Sequence, residues 1–350
     1  MHMADALLSP AVGGTMLAVT TGVAAYSIKK VQKDLDETKI PLMGVMGAFV
    51  FAAQMINFSI PATGSSGHIG GGMLLAILLG PYAGFLTMAS ILLIQALFFG
   101  DGGLLAYGAN VFNLGFFTCF ITYPLIYKVL TKKGLSANRI LVSTIISAVV
   151  GLQFGSFSVV LQTLFSGKTE LPFTTFLFVM QPIHLVIGIV EGLVTAAVVT
   201  FVWKARPEII ENVRSEQALG LISMKKVLIT LVFTTFLVGG GVSLFASANP
   251  DGLEWSIEKT TGTAELETTG AIYDSLTKLQ KKMAVLPDYG FKDSVTSNGE
   301  DATSEKNDDL FSNAGTSLSG VVGGVLTLGL AVLTGFTIQF LKKRKKTTSQ

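Results

Sequence analysis

The sequence predicts an all-α fold: a polytopic membrane helical bundle. Three observations predict it. Half of the 350 residues are hydrophobic and only 14% are charged, where a soluble domain carries about 25%. Mean hydropathy is +0.59. Apolar runs near ~20 residues, the length that crosses a bilayer, recur through the first 247 residues and return near the C-terminus. Cys119 is the single cysteine and lies in an apolar run, which leaves no disulfide framework and no cysteine-based metal cluster. No Lys or Arg precedes Lys29, so the positive start of a cleavable signal is missing. The net charge of +2 says less than its distribution, and no nucleic-acid partner is expected.

Nine spans are expected, at 9–28, 41–58, 69–80, 81–100, 104–127, 140–165, 176–203, 227–247 and 318–341. Gly80-Pro81 interrupts the apolar stretch 69–100; proline breaks a helix interior, so the stretch reads as a short helix followed by a full one. Lysines and arginines gather in the first loop (Lys29, Lys30, Lys33, Lys39), in 128–139, in 204–226 and in the tail from Lys342. All four clusters share one side if the N-terminus is outside, as the positive-inside rule requires. The expected location is the cell membrane, with the N-terminus outside and the C-terminus cytoplasmic.

The chain divides at 204–226, read as a cytoplasmic linker. Residues 1–203 form a seven-span body, and 227–350 form a two-span module around a polar loop, 248–317. That loop holds thirteen acidic residues and six lysines, a balance of −7. Two pieces of it look ordered, NPDGLEWSIEK (249–259) and LPDYGF (286–291). Between them 264–285 reads as a helix with an apolar stripe of Leu266, Ile272, Leu276 and Leu279. Residues 296–309 read as a flexible acidic stretch.

The candidate chemistry begins at the terminus, MHMADALLSP. The Met1 amine, the His2 amide and the His2 imidazole are three nitrogens in sequence. Amine and amide close a five-membered ring on a metal, and amide and Nδ1 a six-membered one. A fourth nitrogen would complete a square, the geometry of Ni(II) or Cu(II). The plain alternative is a frayed terminus that happens to carry a histidine. The loop PATGSSGHIGGG places His68 on the same expected face, and its glycines allow close backbone approach, so His68 can supply the fourth nitrogen. The plain alternative there is a flexible turn with a solvated histidine.

His184, the third and last histidine, lies in a span, with Glu191 two helical turns along the same face. Ionisable groups inside a span are costly and point to function, but such a pair also serves to pack helices. Asp5, Asn57, Asn110, Asn113 and Gln95 are polar in apolar surroundings and are candidates to orient ligands or gate the site, with His184 and Glu191. Gly14, Ala18 and Gly22 form a small-residue stripe that suits a packing face. SGKT at 166–169 is not a phosphate loop, because Gln162 stands where its first glycine is required.

Together, MHMADALLSP, SGHIGGG, LLGPYAG, FFGDGGLLAYGANVFN and IHLVIGIVEGLVTAAVV resemble the substrate-specific membrane component of energy-coupling factor (ECF) nickel/cobalt transporters, the CbiM/NikM family. PDGLEW (250–255) and LPDY (286–289) resemble the small accessory subunit, the CbiN/NikN-like PDGLE module, so the chain looks like a fusion of the two. The family's usual opening is closer to MHIPDGF; His2 and Asp5 match it, and Met3, Ala4, Ala6 and Leu7 differ. The resemblance implies Met1, His2 and His68 as square-planar ligands of a transported Ni(II) or Co(II), with no resident cofactor. It implies as partners a transmembrane coupling subunit and cytosolic ABC ATPases, with the lipid bilayer as solvent. The expected function is metal capture for an ATP-driven importer, not enzymatic turnover. Two other readings stand beside it: a vitamin-binding ECF component, and an intramembrane enzyme using His184 and Glu191.

Overall fold

The computed structural model describes residues 2–34, 39–215, 217, 224–264, 266, 268–291 and 305–348. Met1 and most of the acidic stretch 296–309 lie outside the described residues. Helix α1 (Pro10–Asp34) leads into α2 (Lys39–Gln54). A short antiparallel pair, β1 (Phe58–Ile60) and β2 (Ser65–Gly67), follows, with Phe58 opposite Gly67. Next come α3 (Gly72–Leu79), α4 (Pro81–Phe99), α5 (Tyr107–Leu130), α6 (Ala137–Phe165) and α7 (Phe173–Ala205). The C-terminal part holds α8 (Pro207–Arg214), α9 (Lys225–Gly240), α10 (Gly252–Thr261), α11 (Ala271–Met283) and α12 (Glu305–Thr348).

Among the described residues, seven helices are long and apolar enough to cross a membrane. The other two expected spans are shorter helices, α2 and α3, and nearly all their residues are buried. A helix apolar on every face is stable in lipid or inside protein; these two are shorter than a span and are buried within the bundle. Gly80 separates α3 from α4 with φ +84°, so 69–100 is two helices. The last five residues of α4, Gln95–Phe99, widen into a π-turn, a feature common next to functional sites.

Helices α6 and α7 pack closely. A Cβ at Gly192 would lie 2.4 Å from the Cα of Ile145. A Cβ at Gly14 or Gly22 would meet nothing within 4 Å among the described residues, so that stripe makes no such approach there. About a third of the expected linker 204–226 is helix α8, whose Ile209, Ile210 and Val213 are buried. Arg214 donates to the carbonyl of Thr131 at 2.7 Å. The expected 264–285 helix is shorter, and its face differs. Ile272 and Leu279 are 52% and 48% exposed, whereas Tyr273 and Gln280, polar-tipped residues two turns apart, reach the body through hydrogen bonds. Of the expected stripe, Leu276 is half-buried and Leu266, ahead of the helix, packs against the core around Met3 and Leu8; apolar spacing missed the polar groups that dock the same face.

The close approach of α6 and α7 generates a paired expectation. Gly192→Ala inserts a methyl against helix backbone and should destabilise the chain by about 1–3 kcal/mol, as overpacking does. Gly14→Ala should cost nothing. Thermal unfolding of the two variants in detergent checks this; equal losses would contradict the packing.

Candidate metal site

The described residues from His2 to Leu8 are pinned. Met3, Leu7 and Leu8 are buried in a small core with Ala106, Ala109, Val159, Phe176 and Met180, which the C-terminal part completes with Leu253 and Ile257. The side-chain amide of Asn110 clamps the backbone of Met3 at both ends: its Oδ1 accepts from Met3 N at 2.7 Å and its Nδ2 donates to Met3 O at 3.1 Å. Asn113 pairs with Gln162 through two hydrogen bonds of 2.9 Å and touches the Met3 sulfur. Asp5 Oδ1 accepts from Ala106 N at 3.0 Å. Burial raises the Asp5 pKa, against the lowering effect of its backbone donors. These residues hold the chain rather than point at a ligand.

The clamp brings His2 against His68, from 66 positions away in sequence. Their rings stack with centroids 5.1 Å apart and planes 11° apart. His68 Nδ1 lies 3.1 Å from the carbonyl of Ile69, which a protonated nitrogen satisfies. Its Nε2 is thereby free of the backbone and sits 3.8 Å from Asp251 Oδ2. Burial above all, with the charge of His2 nearby, lowers the His68 pKa to about 4, so the ring is neutral at physiological pH. His2 Nδ1 lies 3.0 Å from Asp101 Oδ2, and its Nε2 is buried without a partner among the described residues. Burial opposes the ionisation of Asp101, but His2 and the hydroxyl of Tyr289 outweigh it and lower its pKa to about 2.

An open cavity of about 260 Å³ lies over these rings, lined by His2, His68, Asp101, Asn57, Asp251, Glu254 and Tyr289 among others. Asn57 lines it, and its backbone carbonyl accepts from Ser247 N at 2.7 Å. Among the described residues no three His, Cys, Asp or Glu side chains form a metal cage. A cation held here would take nitrogens from the backbone as well.

His184 and Glu191 lie beneath the loop and do not pair. His184 Nδ1 is 2.8 Å from the Met180 carbonyl, and its ring lines a small cavity under His68. Glu191 Oε2 accepts from Gly70 N at 2.7 Å, tying the glycine loop to α7. Gln54 Nε2 donates to Gly70 O at 2.9 Å, and Gln95 Nε2 to Gln54 at 2.8 Å. The loop carrying His68 is therefore braced from two helices.

The PDGLEW segment supplies a third brace. Pro250 O accepts from Ser66 N at 2.8 Å. Asp251 caps α10, with Glu254 completing the capping box. A Cβ at Gly252 would lie 2.5 Å from Ile183. Trp255 Nε1 donates to Thr63 O at 3.0 Å. Sequence reasoning singled out this motif but not Asp101, Asp251 or Tyr289 as site residues. The one available signal was Asp101 in a loop otherwise without charge.

Residues 2–209 match the family model for the cobalt uptake substrate-specific transmembrane region, CbiM. The chain belongs to this family. Residues 225–340 match the PDGLE domain. The putative fused nickel transport protein NikMN of Archaeoglobus fulgidus is 32% identical over 332 residues, 94% of this chain and 96% of that protein. The fused nickel transport protein NikMN of Rhodobacter capsulatus is 30% identical over 62% of this chain and 66% of its own length. A crystal structure of a truncated transition metal transporter matches with a TM-score of 0.52 and 32% identity, over 59% of this chain and 99% of that one. The CbiM family is a family of multi-pass transport proteins, not enzymes, so the acid–base reading of His184 and Glu191 lapses.

Charge at the cap gives a pH expectation. The negative charge of Asp251, then burial, raises the pKa of Glu254 above the ordinary carboxylate value. A carboxyl raised in the folded state binds its proton more firmly folded than unfolded. Its contribution is present below the unfolded pKa and fades as pH rises through the raised one. Glu254→Gln keeps an acceptor for the Asp251 amide and removes the titration. The melting temperature of the metal-free native chain should fall, relative to this variant, between the carboxylate range and neutral pH. Parallel pH profiles would contradict the coupling.

Proposed function

We propose that the chain is the metal-capturing subunit of an ECF importer. It binds Ni(II) or Co(II) through the neutral Met1 amine, the His2 amide nitrogen after that amide has lost its proton to solvent, His2 Nδ1 and His68 Nε2. The observation that carries this reading is the stacking of His2 on His68 by a buried, clamped N-terminal segment. Only two side chains are needed for four donors, which accords with the lack of a side-chain cage among the described residues. The His68 ring is neutral and oriented by a carbonyl on its other nitrogen, the usual arrangement of a metal-ligating histidine. Parallel rings do not aim two lone pairs at one point, so loading must take His2 Nδ1 from Asp101 and part the stack.

We infer a division into a metal-capturing body, 1–203, a linker, 204–226, and an accessory module, 227–350. The site faces the cell exterior, as the lysine and arginine distribution supports. No nucleotide-binding motif is present in the sequence. ATP hydrolysis is assigned to separate cytosolic subunits acting through a transmembrane coupling subunit.

The test is a chain extended by two residues before Met1, which converts the primary amine to an amide, compared with His68→Ala. Each should weaken nickel binding on the order of 100-fold, about 2.7 kcal/mol, by calorimetry on the purified protein. Undiminished binding by the extended chain would overturn the ligand set.

A further inference from the structure

Loop 98–103 is held from two sides. From the N-terminal side, Met3 O accepts from Gly103 N at 2.9 Å. From the C-terminal module, the carbonyl of Phe98 accepts from Val285 N at 2.9 Å and Leu286 N at 3.3 Å. Gln280 Nε2 donates to Gly102 O at 2.7 Å and to Ala96 O at 3.0 Å. The ring of Tyr289 stacks on Phe99, centroids 5.0 Å apart, and its hydroxyl donates to Asp101 Oδ2. Asp288 and Tyr289 both adopt left-handed backbone, φ 49° and 60°, a conformation non-glycine residues hold only when their surroundings fix it. Ser319 helps fix it, donating to Tyr289 O at 3.0 Å.

One carboxylate oxygen, Asp101 Oδ2, therefore takes two side-chain donors from opposite ends of the chain: His2 Nδ1 and Tyr289 Oη. The Asp101 side chain is 22% exposed. In the binding mode proposed above, on which this inference rests, the metal takes Nδ1, and the Nδ1 proton leaves to solvent through the open cavity that His2 and Asp101 line, so Asp101 stays ionised. Asp101 then loses His2, and Tyr289 is its remaining side-chain donor among the described residues. A largely enclosed carboxylate stripped of both donors is unfavourable. Tyr289 thus matters more to the loaded site than to the empty one.

We propose that Asp101 and Tyr289 are positioning residues for metal capture. Asp101 holds the His2 imidazole until the metal takes Nδ1. Tyr289, reaching in from the C-terminal module, keeps the released carboxylate partnered in the loaded state. The module thereby contributes to metal affinity without ligating the metal. Its effect depends on the carboxylate: with a neutral amide at position 101, no anion remains for Tyr289 to satisfy.

The test is a double-mutant cycle on the intact chain, read as nickel(II) affinity by calorimetry. Tyr289→Phe keeps the stacking ring and should weaken binding about tenfold, the scale of losing a residue that supports a ligand. In an Asp101→Asn background the same change should have no effect. The same loss in both backgrounds, or no loss in either, would overturn the proposal. The unmodified chain gives a second reading should a variant fail to fold. Nickel should shift one carboxylate band in an infrared difference spectrum, with a matching shift of a tyrosine C–O band. A nickel-binding chain without those shifts would overturn this proposal alone. A wild-type chain that binds no nickel would overturn the proposed function as well.

Discussion

The structure depends on the seating of its N-terminal segment. Chain ends are usually poorly ordered unless tied down, and an end that carries ligands must have a fixed position. Here three apolar side chains, Met3, Leu7 and Leu8, enter a core of their own. The amide of Asn110 satisfies both backbone groups of Met3. Asp5 holds the start of α5. A buried backbone without such partners would be costly, so the clamp and the core require each other. His2 has little freedom left, and its ring falls on His68.

The second histidine depends on a different principle. A glycine loop by itself is mobile, but this one is braced on three sides. Glu191 and Gln54 bond Gly70 from the bundle. Pro250 and Trp255 bond Ser66 and Thr63 from the PDGLE segment. The motif letters then acquire separate jobs. Proline lends a carbonyl, Asp251 and Glu254 cap a helix, Gly252 permits contact with α7, and the tryptophan anchors the turn. The PDGLE domain is thus part of the wall around the histidines.

Much of this was legible in the sequence, and the limits have physical reasons. The apolar runs placed the helices, because burial in lipid or in a bundle needs only composition and length. Gly80-Pro81 marked a true break. His2 stood out beside the terminal amine, His68 in a glycine-rich loop, and the asparagines as polar residues in apolar stretches. What such residues bond to was not legible. Asn110 and Asn113 act on the Met3 segment beside His2 rather than on an imidazole, and His184 and Glu191 share a helix face but bond to different elements. Asp101 and Tyr289 meet across 188 positions, a contact that no local pattern encodes. The stripe of 264–285 held for Leu266 and Leu276 and not for Ile272 and Leu279, because the helix also docks through Tyr273 and Gln280, which an apolar count ignores.

The central claim is that a clamped chain terminus and one loop histidine present four nitrogens to a metal. Nickel K-edge X-ray absorption on the loaded chain tests it most directly. The account predicts four nitrogen donors in a square plane, with the pre-edge feature of planar Ni(II). A six-coordinate shell dominated by oxygen, drawn from Asp101, Asp251 and water, would contradict it.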